Sequence, residues 1–306
     1  MNEGKEITLV TAFFDIGRGD LEDQKRSSNN YMEYFKFWAR IQNRLIVFTT
    51  SDFAQQIREI RENFGRGKET IIVVEDNIWD IEADLYREMC RVEKSAHFKE
   101  LRIRPGDISN RADYDYITLI KFWCLKKAVE EKYTLSGYTV WIDFGFNHGG
   151  DTFSDPEDFD YKWEYNFGDK ICLFMRKSVE TEVGLVKLVT MTDSIMAGII
   201  VCPDEMCGLL YEMCTEAMWS LVSIDFMDDE QMLLRMAWRR HPEYFQLYES
   251  SWFMPLKEYG GGHLKLVQRV PEKKGNKKIF DVKSRFNCRK IRYLMRFYQA
   301  IKKESC

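Results

Sequence analysis

Three short runs of β-forming residues, separated by two helical stretches, occupy the first seventy-five positions of this chain of 306 residues. Ile7–Phe14 (ITLVTAFF), Arg44–Thr50 (RLIVFTT) and Glu69–Glu75 (ETIIVVE) are rich in apolar and β-branched residues, the pattern of strands buried on both faces. Ser27-Ser28-Asn29-Asn30 offers an N-cap to the aromatic helix that follows, Tyr31 among its first residues. Ser51 and Asp52 cap a second helix through Phe64, which Gly65 and Gly67 stop. Strands alternating with helices bury their apolar surfaces by forming a parallel sheet with helices on its faces, joined by right-handed crossovers. The order therefore predicts half of a doubly wound α/β sheet.

The stretch Tyr138–Gly150 (YTVWIDFGFNHGG) supplies the centre of that sheet. Val140, Trp141 and Ile142 form a short strand, and Asp143 stands at its end, with Gly145, Gly149 and Gly150 breaking regular structure after it. Ligands of open α/β sheets bind outside the carboxyl ends of the strands. A carboxylate there, with Asn147 and His148 close behind, suits a divalent cation or a ribose; a turn capped by Asp143 is the bland alternative. The first strand likewise runs into a loop with Gly17, Arg18 and Gly19, suited to phosphate or ribose. Neither the GxGxxG spacing nor that of a P-loop is present.

Further along, Asp80–Ala96 and Asp113–Lys132 read as helices, and Lys121 falls among the apolar positions of the second. It either snorkels or points at a diphosphate. Asp151–Asp169 is an acidic, aromatic loop, and Lys170–Arg176 and Ile195–Cys202 are strands, with Gly198 allowing a close approach. Pro203 and Asp204 open a helix to about Leu221. Asp228, Asp229 and Glu230 then begin an amphipathic helix. Acids in a first turn complement the helix dipole, and they are equally what a general base requires. His263, in the turn Tyr259-Gly-Gly-Gly-His263, is either structural or a metal or diphosphate ligand.

The eight cysteines include no CxxC pair, and six prolines leave no evident linker. The reading is free thiols in a reducing, cytoplasmic setting, without a disulfide or zinc framework. No apolar run reaches the ~20 residues of a membrane span, and the N-terminus has no signal-peptide pattern. Charge is uneven: from Lys265 onward there are fourteen Lys or Arg and three acidic residues. This separates a main domain, 1–264, from a basic extension, 265–306. Within Ser284–Lys303, Phe286, Ile291, Leu294, Met295, Tyr298 and Ile301 alternate with arginines as on a basic amphipathic helix. Such a helix binds an anionic membrane surface or packs on the domain. Nucleic acid is not expected, because no recognition module accompanies the charge.

TLVTAFFDIGRGD and WIDFGF resemble the HtrL/WlaTC-type bacterial glycosyltransferases of surface-polysaccharide loci, over roughly residues 5–250. The resemblance implies a GT-A-like (Rossmann-like) nucleotide-diphospho-sugar transferase fold, with a mostly parallel central sheet flanked by helices. It implies that Thr11, Ala12, Phe13 and Arg18 line the nucleotide site, that Lys121 meets the donor, and that Asp143 is the acidic motif holding ribose and Mn²⁺ or Mg²⁺. Gly145 stands where the second acid of a DxD motif would be, so Asn147, His148 or His263 would have to complete a metal shell. Asp229, with Asp228 and Glu230 beside it, is the expected base toward the acceptor. The implied function is hexosyl transfer from a nucleotide sugar, a UDP-sugar in this reading, to a glycan or lipid-linked acceptor in capsule, O-antigen or lipooligosaccharide synthesis. It would act at the inner face of the cytoplasmic membrane. The alternative is a nucleotide-sugar-binding protein or a nucleotidyltransferase on a similar sheet.

Overall fold

The structure, a computed structural model, describes residues 5–20, 26–102, 110–176, 184–192 and 194–268. The chain divides into two compact units, Met1–Val267 and Gln268–Cys306, and every element named below belongs to the first. The division falls after Val267, whereas the change of charge falls at Lys265. Lys265 Nζ lies 3.0 Å from the carboxylates of both Asp155 and Asp158, and Leu266 pairs with Phe153, which ties these residues to the first unit. The basic helix expected over 284–303 lies outside the described residues.

A single sheet holds strands β1 (Glu6–Phe13), β2 (Leu45–Thr49), β3 (Thr70–Val74), β4 (Gly137–Ile142), β5 (Ile171–Met175), β6 (Ile195–Pro203) and β7 (Phe245–Glu249). Their order is β3-β2-β1-β4-β6-β5-β7. Strands β3, β2, β1 and β4 are parallel, β6 is antiparallel to both of its neighbours, and β7 is parallel to β5. The sheet is thus mostly parallel, as expected, with one reversed strand. The helices are α1 (Ser28–Trp38), α2 (Ser51–Asn63), α3 (Ala83–Glu93), α4 (Ala96–Leu101), α5 (Ala112–Glu130), α6 (Gly184–Thr190), α7 (Cys207–Val222), α8 (Glu230–Arg240) and the short α9 (Pro255–Glu258).

Side chains alternate across the sheet with the period of 2 that a strand imposes. Val10, Ile46, Phe48 and Trp141 face one core, built with α3, α5, α7 and α8. Leu9, Val47, Val140 and Ile142 face the other, built with α1, α2 and the aromatic residues of the 151–169 loop. That loop holds the 3₁₀ turn Pro156–Phe159, and it buries Phe153, Phe159, Trp163 and Phe167 against the sheet.

Local signals succeed where the chain caps itself. Ser27 and Asn30 form a reciprocal capping box at the start of α1. At α2 the Ser51 side chain is not the cap; instead the Ser51 N–H donates to Asp76 Oδ1 at 2.7 Å, from the turn after β3. The long helix expected over 80–96 begins with a 3₁₀ turn at Ile78–Asp80, and α3 ends at Glu93, where Ser95 starts α4. Strand β7 is not evident in the sequence: FQLYE is short, lies at the sheet edge and is mostly half-exposed, so it lacks a continuous apolar run.

Two buried ionisable side chains have opposite energetics. Arg61 is fully buried and donates to Thr70 Oγ1 (2.8 Å) and to the carbonyls of Ala39 (2.7 Å), Ile41 (2.7 Å) and Asn43 (3.2 Å), which locks the α1–β2 connection. Asp115 is also fully buried, but neither carboxyl oxygen has a hydrogen-bond partner among the described residues. Burial holds its pKa well above the usual carboxylate range, with Asp228, Asp229 and Glu230 adding to the effect and Arg102 opposing it.

Arg61→Leu, which leaves those acceptors without a donor, is expected to cost about 3–5 kcal/mol in urea unfolding. For Asp115 the sign runs the other way. The unfolded chain gives up this proton first, so stability falls as pH rises from the ordinary carboxylate range toward the raised folded value. Asp115→Asn should flatten the stability–pH curve in that direction and be at least as stable as the parent at pH 8. A parallel curve for the variant would show that Asp115 is not held protonated.

Candidate functional site

β1 and β4 are parallel neighbours, so their carboxyl ends open on the same edge of the sheet. β6 enters from that edge, and the Asp143 N–H donates to the Gly198 carbonyl at 3.0 Å, continuing the ladder one residue past β4. A cavity of about 330 Å³ lies at this point, within the range of small-molecule sites. Ala12, Phe13 and Arg18 line it from the β1 end, Asp143 and Gly145 from the β4 end, Lys121 from α5 and Glu230 from α8.

Lys121 sits at the floor, 4 % exposed. Its ammonium donates to Glu230 Oε1 (2.9 Å), Asp143 Oδ1 (3.3 Å) and the Ala197 carbonyl (3.4 Å). Burial pulls its pKa down, but Asp143 and Glu230 outweigh burial and the net direction is upward, so it stays charged. Trp141 Nε1 also donates to Asp143 Oδ1, at 2.7 Å. Two donors thus hold one oxygen of Asp143, while its side chain remains 42 % exposed. Oδ2 has no hydrogen bond among the described residues and lies 3.5 Å from where a Cβ on Gly198 would stand. A side chain larger than Ala at 198 would cover it, which accounts for the glycine.

Arg18 is presented differently. Its guanidinium lies between the rings of Tyr31 (5.8 Å) and Tyr114 (5.7 Å) and donates to Tyr31 Oη at 2.5 Å. No carboxylate pairs with it among the described residues, and its buried Nε has no partner. A guanidinium held by aromatic faces and lacking a counter-ion is prepared for an anion.

The acidic trio divides. Glu230 lines the cavity; Asp228 and Asp229 do not. Asp228 is buried in an ion pair with Arg102 at 3.2 Å. Asp229 is the N-cap of α8 and accepts from the Gln231 N–H at 3.1 Å. Burial, together with Glu230 and Asp228, raises the Asp229 pKa well above the usual range. Asp229, expected to face the acceptor, does not line this cavity and uses Oδ1 to cap the helix. Thr11 is also displaced from the site, since it points into the core with no exposure.

Of the residues expected to complete a metal shell, His148 lines the cavity with Asp143, whereas Asn147 and His263 do not. Asn147 is buried and binds the backbone of Thr152 and Phe153. His148 has both ring nitrogens engaged, by Arg26 and Asp151, each at 3.2 Å. His263 lies against Tyr161, with Nε2 2.9 Å from the Asp158 carbonyl, and does not line the cavity. At Gly145 a Cβ would stand 3.1 Å from the Tyr31 ring, so the fold leaves little room for a second acid. Among the described residues no group of three or more His, Cys, Asp or Glu is arranged for a metal. What fits is a hard cation bound through the free oxygen of Asp143 and otherwise by a ligand's own phosphates, a common arrangement for Mg²⁺.

Several lining residues went unread in the sequence. Tyr114, Ile117 and Thr118 also line the cavity from α5, at spacings that put them on the Lys121 face of that helix. The position of Lys121 was therefore enough to find them. In the aromatic start of α1, Tyr31 or Tyr34 is the residue expected to face the site, and Tyr31 lines it; Trp252 carries no local signal.

The family described as "Bacterial protein of unknown function (HtrL_YibB)" matches residues 5–259. Protein HtrL of Escherichia coli (strain K12) is 25 % identical over 266 residues, which is 80 % of this chain and 90 % of that protein. Among solved structures, mouse xyloside xylosyltransferase 1 in its apo form aligns at a TM-score of 0.41 and 10 % identity, covering 83 % of this chain and 93 % of that one. The PaToxG glycosyltransferase aligns at 0.35 and 6 %, covering 78 % and 70 %. The family match takes in the β1 loop, the Asp143 motif and the start of α8, and the chain belongs to the HtrL_YibB family.

Proposed function

We propose that this protein is a glycosyltransferase that moves a hexosyl group from a nucleotide-diphosphate sugar, with UDP as the nucleotide, to a glycan or lipid-linked glycan of a bacterial surface polysaccharide. The observation that carries this reading is the convergence, in one cavity at the β1 and β4 ends, of Arg18, Lys121 and the outward oxygen of Asp143. A glycosyl donor presents a diphosphate, which requires cations, and a ribose, whose hydroxyls suit a carboxylate. The aromatic walls Phe13, Tyr31 and Tyr114 suit a base.

As the bond between the anomeric carbon and the diphosphate oxygen breaks, negative charge grows on the leaving group. Arg18, already oriented, stabilises that charge without reorganisation, while Lys121 holds Asp143 and Glu230 in place beneath it. Asp143 would hold a bound divalent ion, Mn²⁺ or Mg²⁺, which would supply further neutralisation. Glu230, which lines the cavity, takes the proton of the acceptor hydroxyl in this reading; its Oε1 engages Lys121 and its Oε2 has no hydrogen-bond partner among the described residues. The basic segment beyond Lys265 favours an acceptor at an anionic membrane surface. Gly145 in place of a second acid favours the alternative of a nucleotide-sugar-binding protein. Acceptor-dependent release of UDP distinguishes the two.

Two predictions test the assignment. Asp143→Ala should remain folded but lose the thermal stabilisation that a panel of UDP-sugars gives the parent, and with it transfer; full activity in the folded variant would sink the reading. Glu230→Gln should lower turnover about a hundredfold or more, whereas Asp229→Asn, which keeps a good N-cap, should retain most of it. If the two variants exchange these behaviours, the base is Asp229 after all.

A further inference from the structure

Of the large apolar side chains exposed among the described residues, Trp252 is the one that lines the site cavity, and it is 44 % exposed. It sits three positions past β7, in a turn closed by the Met254 N–H donating to the Ser251 carbonyl at 2.8 Å. The turn is anchored on both sides. The Ser250 N–H donates to the Met175 carbonyl at 2.9 Å, and Phe253 is buried edge-on against Phe146 (4.8 Å) and His148 (5.2 Å). The indole is therefore held at the cavity by a fixed backbone and not by burial of its own surface.

Sheet order gives this position its meaning. β1 and its loop lie on one side of β4; β6, β5 and β7 lie on the other. Arg18 and Tyr31 come from the first side. Trp252, with Glu230 and Gln231 of α8, comes from elements beyond β4 and completes the same cavity. A half-exposed indole lining the same cavity as a carboxylate and an amide matches one ligand chemistry closely. A pyranose has an apolar face of C–H groups and a rim of hydroxyls, so the ring stacks on the indole while the rim bonds to the polar groups.

We propose that Trp252 is the platform of a pyranose subsite that receives the acceptor sugar, with Gln231 and Glu230 reading its hydroxyls. This rests on the glycosyl-transfer reading for the word acceptor, but not for the saccharide site itself. The subsite makes Trp252 a specificity-determining residue: it selects acceptors that end in a ring with an accessible C–H face.

Saturation-transfer NMR on the full chain tests this with methyl β-D-glucopyranoside, methyl β-D-galactopyranoside and methyl α-D-mannopyranoside as probes, with UDP binding measured in parallel by calorimetry. At least one glycoside should bind, at least tenfold more weakly to Trp252→Ala and within about threefold of the parent to Trp252→Phe, while UDP affinity is unchanged in both. Urea unfolding checks that the variants are folded, and the Phe variant carries the test if the Ala variant is not. No binding of any of the three, or binding indifferent to Trp252, overturns the subsite. Trp252-dependent glycoside binding by a chain that does not bind UDP would uphold the subsite and sink the transfer reading instead.

Discussion

The site depends on one buried ammonium. Lys121, on α5, ties together the residue that follows β4, the first residue of α8 and the carbonyl of Ala197 on β6. A lone charge at that depth is strongly unfavourable, and it is stable here because two carboxylates close on it. The same contacts orient the chemistry. Asp143 can present one oxygen outward only because Lys121 and Trp141 hold the other. The floor of the cavity is therefore pre-formed, and neither carboxylate needs to move to meet a ligand.

The reversed strand β6 makes room for this arrangement. Parallel strands β1 and β4 bring two loops to one edge, and a further parallel strand beside β4 would begin at the opposite edge. Because β6 runs antiparallel, its first residues meet the end of β4, and Gly198 leaves the Asp143 carboxylate uncovered. The cavity then draws one wall from the β1 loop and α1 and the other from α8 and the turn after β7. The two walls differ in chemistry: on one, phenol rings and a guanidinium with no carboxylate partner among the described residues; on the other, carboxylate, amide and indole.

The acidic start of α8 shows how the same residue type takes three roles within three positions. Asp228 neutralises Arg102, Asp229 caps the helix and Glu230 reaches the cavity. Only Glu230 lies within the helix; Asp229 is the extended N-cap and Asp228 precedes it, so the backbone turns between them and separates their side chains. Which of them faces the cavity is set by how α8 packs against α5 and α7.

The sequence by itself determined the parallel half of the sheet, because each strand there is a continuous apolar run and each helix is marked by caps and glycines within a few residues. It also determined that Arg18 and Asp143 follow strands, and that Lys121 breaks the apolar pattern of its helix. These are properties of short segments. Only the tertiary structure decided that Asp229 caps while Glu230 faces inward, that His263 and Asn147 serve the backbone, that β7 exists at the edge, and that Trp252 returns to the cavity. Each of these depends on a partner far away in the chain. No local pattern encodes the direction of a side chain whose neighbours are set by the packing of other elements.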